Sequence, residues 1–77
     1  MVIEKRVFIS FLTDYYFQKA NVEKKGNIVN ECQNYLEELY LNTPVLKHFS
    51  LSDNISYLKQ IGEEDYIISM IKKLCNG

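Results

Sequence analysis

The sequence predicts an all-α fold, a small four- or five-helix bundle built on an N-terminal antiparallel helical hairpin. Three observations carry this expectation. In Asn27 to Leu41, Val29, Cys32, Leu36 and Leu39 recur at steps of three and four, and Ile28, Tyr35 and Tyr40 widen the stripe. Asn30, Glu31, Gln33, Asn34, Glu37 and Glu38 fill the opposite side, and so broad a stripe needs helices on both flanks. Stop and start signals at Gly26-Asn27, Thr43-Pro44 and Gly62 cut the rest into helix-length pieces. Only Val2 to Leu12 has the β-branched and aromatic content of a strand, and no second such stretch exists to pair with it.

The first helix is expected from Ile3 to about Lys25. Phe8, Phe11, Leu12 and Tyr15 form an i, i+3, i+4, i+7 set, with Val22 on the same face two turns later. Lys24 and Lys25 suit the negative end of the helix dipole, and Gly26 suits a left-handed closing residue. Asn27 is a good N-cap for the second helix, and so short a link implies an antiparallel hairpin. Thr43-Pro44 repeats the signal, threonine as cap and proline at the first helical position, ahead of one or two turns ending near Phe49. Ser50-Leu51-Ser52-Asp53 has capping-box spacing and opens a helix to Ile61, with Leu51, Ile55, Leu58 and Ile61 inward. After Gly62 the last helix starts with Glu63, Glu64 and Asp65 and ends with Lys72 and Lys73, both matched to its dipole. Ile67, Ile71 and Leu74 form its inner face, flanked by Ile68 and Met70.

Residues 1–77 read as one domain, of a size at which a core contributes only about 3–5 kcal/mol without staples. Cys32 and Cys75 are far apart and Cys32 sits in an apolar stripe, so free thiols in a reducing, cytoplasmic setting are expected. Glu4, Lys5 and Arg6 interrupt the start before a signal-peptide core can develop. The longest uncharged run, Leu39 to Leu46, falls far short of the roughly 18–20 residues of a membrane span. A net charge of −1 argues against nucleic acid as a general partner. Bases Lys5, Arg6, Lys19, Lys24 and Lys25 concentrate before residue 27, and Glu31, Glu37 and Glu38 follow with no base before Lys47. Opposite signs on sequence neighbours favour their antiparallel packing, at no more than about 1 kcal/mol per surface pair.

Residues able to carry chemistry are few. His48 is the single histidine, so any Cys–His or Ser–His pair must use it. Cys32 on an apolar face is a small hydrophobe, and Cys75 is near the end of the chain. Cys32, His48 and Cys75 lack the paired spacing of a zinc site, and no glycine-rich phosphate loop exists, so no cofactor or metal is implied. The helices around Gly62 resemble a helix-turn-helix in outline only. The second would meet phosphates with Glu63, Glu64 and Asp65, the wrong sign.

Two features point outward instead. With Phe8 and Tyr15 taken as inward, Phe17 projects to the other side of its helix, flanked by Ile9 and Tyr16. Such an aromatic patch reads either as a contact surface or as a first helix buried on several sides. Glu37 and Glu38 occupy the helix end that disfavours acids, which a basic partner surface would relieve. The sequence therefore leads to a non-catalytic protein that binds another protein through Ile9, Tyr16, Phe17, Glu37 and Glu38. It would act as regulator, adaptor or immunity-type inhibitor, with a homodimer allowed. A helical nucleic-acid-binding regulator is the alternative, which a contiguous basic face would favour. No motif names the partner.

Overall fold

A computed structural model describes residues 2–76, and within them every regular element is helical. Helix α1 spans Lys5–Ala20 and α2 Gly26–Asn42; a 3-10 turn covers Pro44–His48; α3 spans Leu51–Gln60 and α4 Glu63–Asn76. The all-α bundle on a helical hairpin is thus what the chain forms.

The boundaries of α1 differ from the sequence reading at both ends. Residues 2–4 are extended, not helical, and are pinned by two bonds of Ile3. Its N–H donates to the Lys47 carbonyl at 2.8 Å, and its carbonyl accepts from the Tyr40 hydroxyl at 2.7 Å. At the other end Asn21, with φ 56°, is the left-handed residue, not Gly26. The Asn21 N–H bonds the Gln18 carbonyl and the Val22 N–H the Phe17 carbonyl, the paired bonds of a Schellman ending. Asparagine is the one common alternative to glycine there, because its short polar side chain tolerates the left-handed region. Val22 then folds back against the core while Lys24 and Lys25 lie in the loop. Gly26 opens α2, with no left-handed φ and no side-chain cap from Lys25 before it.

The hairpin is antiparallel. Lys5 of α1 pairs with Glu37 late in α2 at 2.7 Å, and the Phe8 and Tyr40 rings lie 5.2 Å apart. Helix α4 covers the other flank of α1, with Lys19 reaching Glu64 at 3.6 Å, and also touches α2 through Tyr35 and Tyr66, whose ring centroids lie 5.0 Å apart. Helix α3 packs chiefly on α4 and touches α1. Three helices therefore surround α1, and its buried residues Phe8, Leu12, Thr13, Tyr16, Phe17 and Ala20 cover a broad arc. At about 100° per residue, Phe8 and Phe17 stand about 180° apart, yet both are buried.

Of the later signals, Pro44 opens the 3-10 turn as expected, but Thr43 before it makes no side-chain cap bond. Ser50 caps α3, its hydroxyl oxygen accepting from the Asp53 N–H at 3.0 Å. Gly62, with φ 85°, separates α3 from α4. Leu58, Ile67 and Ile71 are fully buried, whereas Ile61, the residue that closes α3, and Leu74, in the last turn of α4, are exposed. Asn54 takes an inward place that apolar periodicity does not show. Fully buried, it donates from Nδ2 to the carbonyls of Leu46 and Ser50 at 3.0 Å and Phe49 at 3.4 Å, fastening the 3-10 turn to α3.

Candidate protein-contact surface

The residues expected to form a contact patch are not together on the surface. Tyr16 is 0% and Phe17 2% exposed, and Ile9 is half-buried against the core. The exposed aromatic patch thus gives way to the other reading, a first helix held on several sides. The cause is the shared attention of α2 and α4, which turns almost half the circumference of α1 inward. Glu37 and Glu38 also find local explanations. Helix α2 runs to Asn42, so neither acid is in its last turn; Glu37 meets Lys5, and Glu38 accepts from Asn42 Nδ2 at 3.2 Å. Both acids stay at the surface or partly so, already partnered within the chain.

Chemistry-bearing groups are equally dispersed. His48 is exposed in the 3-10 turn, Cys32 is buried in α2, and Cys75 is exposed near the end of α4. Burial pushes the Cys32 thiol up to about 11, so at neutral pH it is protonated and a poor nucleophile. Among the described residues, no three or more His, Cys, Asp or Glu side chains group as metal donors.

Behind α1 lies a polar seam in the core. The Thr13 and Tyr16 hydroxyls and Glu64 Oε1 are buried without a hydrogen-bond partner, and Lys19 is the only cation near Glu64 among the described ion pairs. Burial first, then the Glu64 carboxylate, drive the Tyr16 phenol far above its ordinary range. At the exposed edge of this seam the Tyr35 hydroxyl donates to Glu63, and desolvation with that bond raises the Tyr35 phenol as well. Thr13, Tyr16 and Glu64 line none of the described cavities, and their side chains lie within the core.

A well-defined concavity lies elsewhere, where the extended N-terminal residues cross the 3-10 turn and the start of α3. It is a groove of about 560 Å³ lined by Val2, Ile3, Val7, Phe49 and Leu51, with Glu4, His48 and Ser50 at its polar positions. Val2 and Val7 are 54% and 40% exposed. Its walls are fixed: Ile3 is held by the Lys47 and Tyr40 bonds, and Phe49 stacks edge-on against Tyr57 at 5.4 Å. The sequence reading missed this groove because Phe11 and Tyr15 drew the inward face of α1 away from its true line, Phe8–Leu12–Tyr16–Ala20. The steady four-residue spacing of that line was the available signal, and it leaves Val7 and Phe11 pointing out.

None of the described helices is long and apolar enough to cross a membrane. No protein-family model, no curated protein and no solved structure matches this chain.

Proposed function

We propose that the chain works by binding another protein, as a small regulator, adaptor or inhibitor in the cytoplasm, and performs no catalysis of its own. The observation that carries this reading is the groove of Val2, Ile3, Val7, Phe49 and Leu51. It is apolar, open to solvent and rigidly backed. Burying such side chains contributes about 1.5–3 kcal/mol each when complete, and a pre-formed wall spares the partner much of the ordering cost. The occupant that suits it is an apolar segment of a protein, its flanks carrying polar groups toward Glu4 and His48.

The test is affinity capture from the native host with wild type, Leu51→Glu and Gln60→Glu. A glutamate at residue 51 stands in the first turn of α3, where the dipole favours it, so the fold is kept while the groove acquires a charge. Gln60 lies at the far end of the same helix and serves as the control. A protein retained by wild type and by Gln60→Glu but lost with Leu51→Glu supports the reading. Equal retention by all three, or none by any, counts against it.

A further inference from the structure

We propose that a second copy of this chain docks on the outer face of α1, the two α1 helices crossing antiparallel about Ser10. Helix α1 is covered by α2, α3 and α4, and the side left open carries Arg6, Val7, Ser10, Phe11 and Asp14, which line one shallow depression. That depression is its own complement. Arg6 and Asp14 lie four residues either side of Ser10, so an antiparallel twofold pair sets each Arg6 opposite the other copy's Asp14. Four residues of helix rise span about 6 Å, within reach of an arginine side chain. Ser10 at the axis is small enough to let the helices approach, and Phe11, 40% exposed, sits one step from it.

The charges are available. Among the described residues Arg6 has no ion-pair partner. Asp14 meets Lys24 through Oδ1 only, in a pair exposed on both sides, which leaves Oδ2 for a second cation. An isologous contact repeats every interaction, so two charge pairs and two phenylalanines act together. One helix face is smaller than the roughly 800 Å² per partner of a standard interface, the size class of weak, concentration-dependent association.

This inference does not rest on the groove reading. The two surfaces share Val7, but Leu51 lies outside the α1 face, so Leu51→Glu should abolish partner capture and leave the dimer intact. The experiment is sedimentation velocity on the full chain from micromolar to millimolar concentration, with circular dichroism confirming that each variant is folded. Wild type should shift from monomer to dimer. Arg6→Asp should weaken the dimer about ten-fold, since each exposed pair counts twice. Phe11→Ser should weaken it about a hundred-fold on the same doubling of apolar burial. The charge swap Arg6→Asp with Asp14→Arg should bring association back toward wild type, which only an antiparallel pairing of these two positions achieves. A wild type that stays monomeric, variants that associate as well as wild type, or a swap that fails to recover would each overturn the proposal.

Discussion

Asn54→Ala should be among the most damaging single changes in the chain, although it removes no apolar contact of note. Asn54 is wholly buried, and its amide shares two N–H donors among three carbonyls that belong to the 3-10 turn and the α3 cap. The two bonds at 3.0 Å are worth about 0.5–1.5 kcal/mol each, the one at 3.4 Å little. Adding about 1 kcal/mol for the void left behind gives a loss of roughly 2–4 kcal/mol. A chain of this size has about 3–5 kcal/mol in all. In urea, with a slope near 1 kcal/mol per molar for so small a protein, the midpoint should fall by about 2–4 M. Asn54→Asp sharpens the test by keeping the volume while turning a donor into an acceptor before three carbonyl oxygens. At neutral pH it should destabilise at least as much as alanine. Its folded-state carboxyl would be held above the ordinary carboxylate range, so the loss should shrink on acidification as the protonated form regains a donor. A midpoint within about 0.5 M of wild type for both variants would refute the fastening role of this side chain.

The remaining predictions concern the caps, the polar seam and the thiols. Gly26→Ala should stabilise by about 0.5–1 kcal/mol, since an added Cβ meets nothing and the backbone is helical. Gly62→Ala should destabilise by about 1 kcal/mol at its positive φ, both read from denaturation midpoints. Lys19→Met should cost about 1–2 kcal/mol by stranding the buried Glu64 carboxylate, and adding Glu64→Leu should recover most of that loss. Of the two free thiols, only Cys75 should react rapidly with a thiol reagent in the native state, and both should react in denaturant. Cys32 keeps its proton to higher pH when folded. Its contribution to stability is therefore complete below the ordinary thiol value of 9.0 and lost as pH rises toward about 11. The raised Tyr16 and Tyr35 phenols act in the same direction at higher pH, so the melting temperature should fall through this alkaline window.

Helix identity was legible wherever polar and apolar residues separate cleanly or a cap is spelled out. The stripe of α2, the Ser50 cap, the Gly62 break and the acidic start of α4 all follow from local physics that needs no tertiary partner. Helix α1 was harder because apolar side chains surround it. Its inward face depends on which helices arrive later in the chain, and Phe11 and Tyr15 form as good a stripe on paper as Tyr16 and Phe17. Asn21 closed that helix in place of Gly26 because two residues can each adopt the left-handed conformation, and Val22 had apolar contacts to gain by turning back. The buried places of Asn54 and Glu64 were invisible for a similar reason. A polar residue goes inside only when neighbours distant in sequence supply its partners or its counter-charge. The groove of Val2, Val7, Phe49 and Leu51 joins residues more than forty positions apart, so no periodicity could announce it.

Both contact surfaces depend on which way α1 faces, and a pair of serine substitutions measures it. Phe17→Ser and Phe11→Ser remove the same ring from the same helix, six residues apart, at positions 2% and 40% exposed. Equilibrium urea unfolding of both, at concentrations where the chain is monomeric, should separate them widely. Phe17→Ser should lose about 3–5 kcal/mol, enough to leave much of the chain unfolded without denaturant, while Phe11→Ser should lose less than about 1 kcal/mol. Equal losses, or a larger loss at residue 11, would contradict the orientation of α1 and with it the surfaces assigned to this protein.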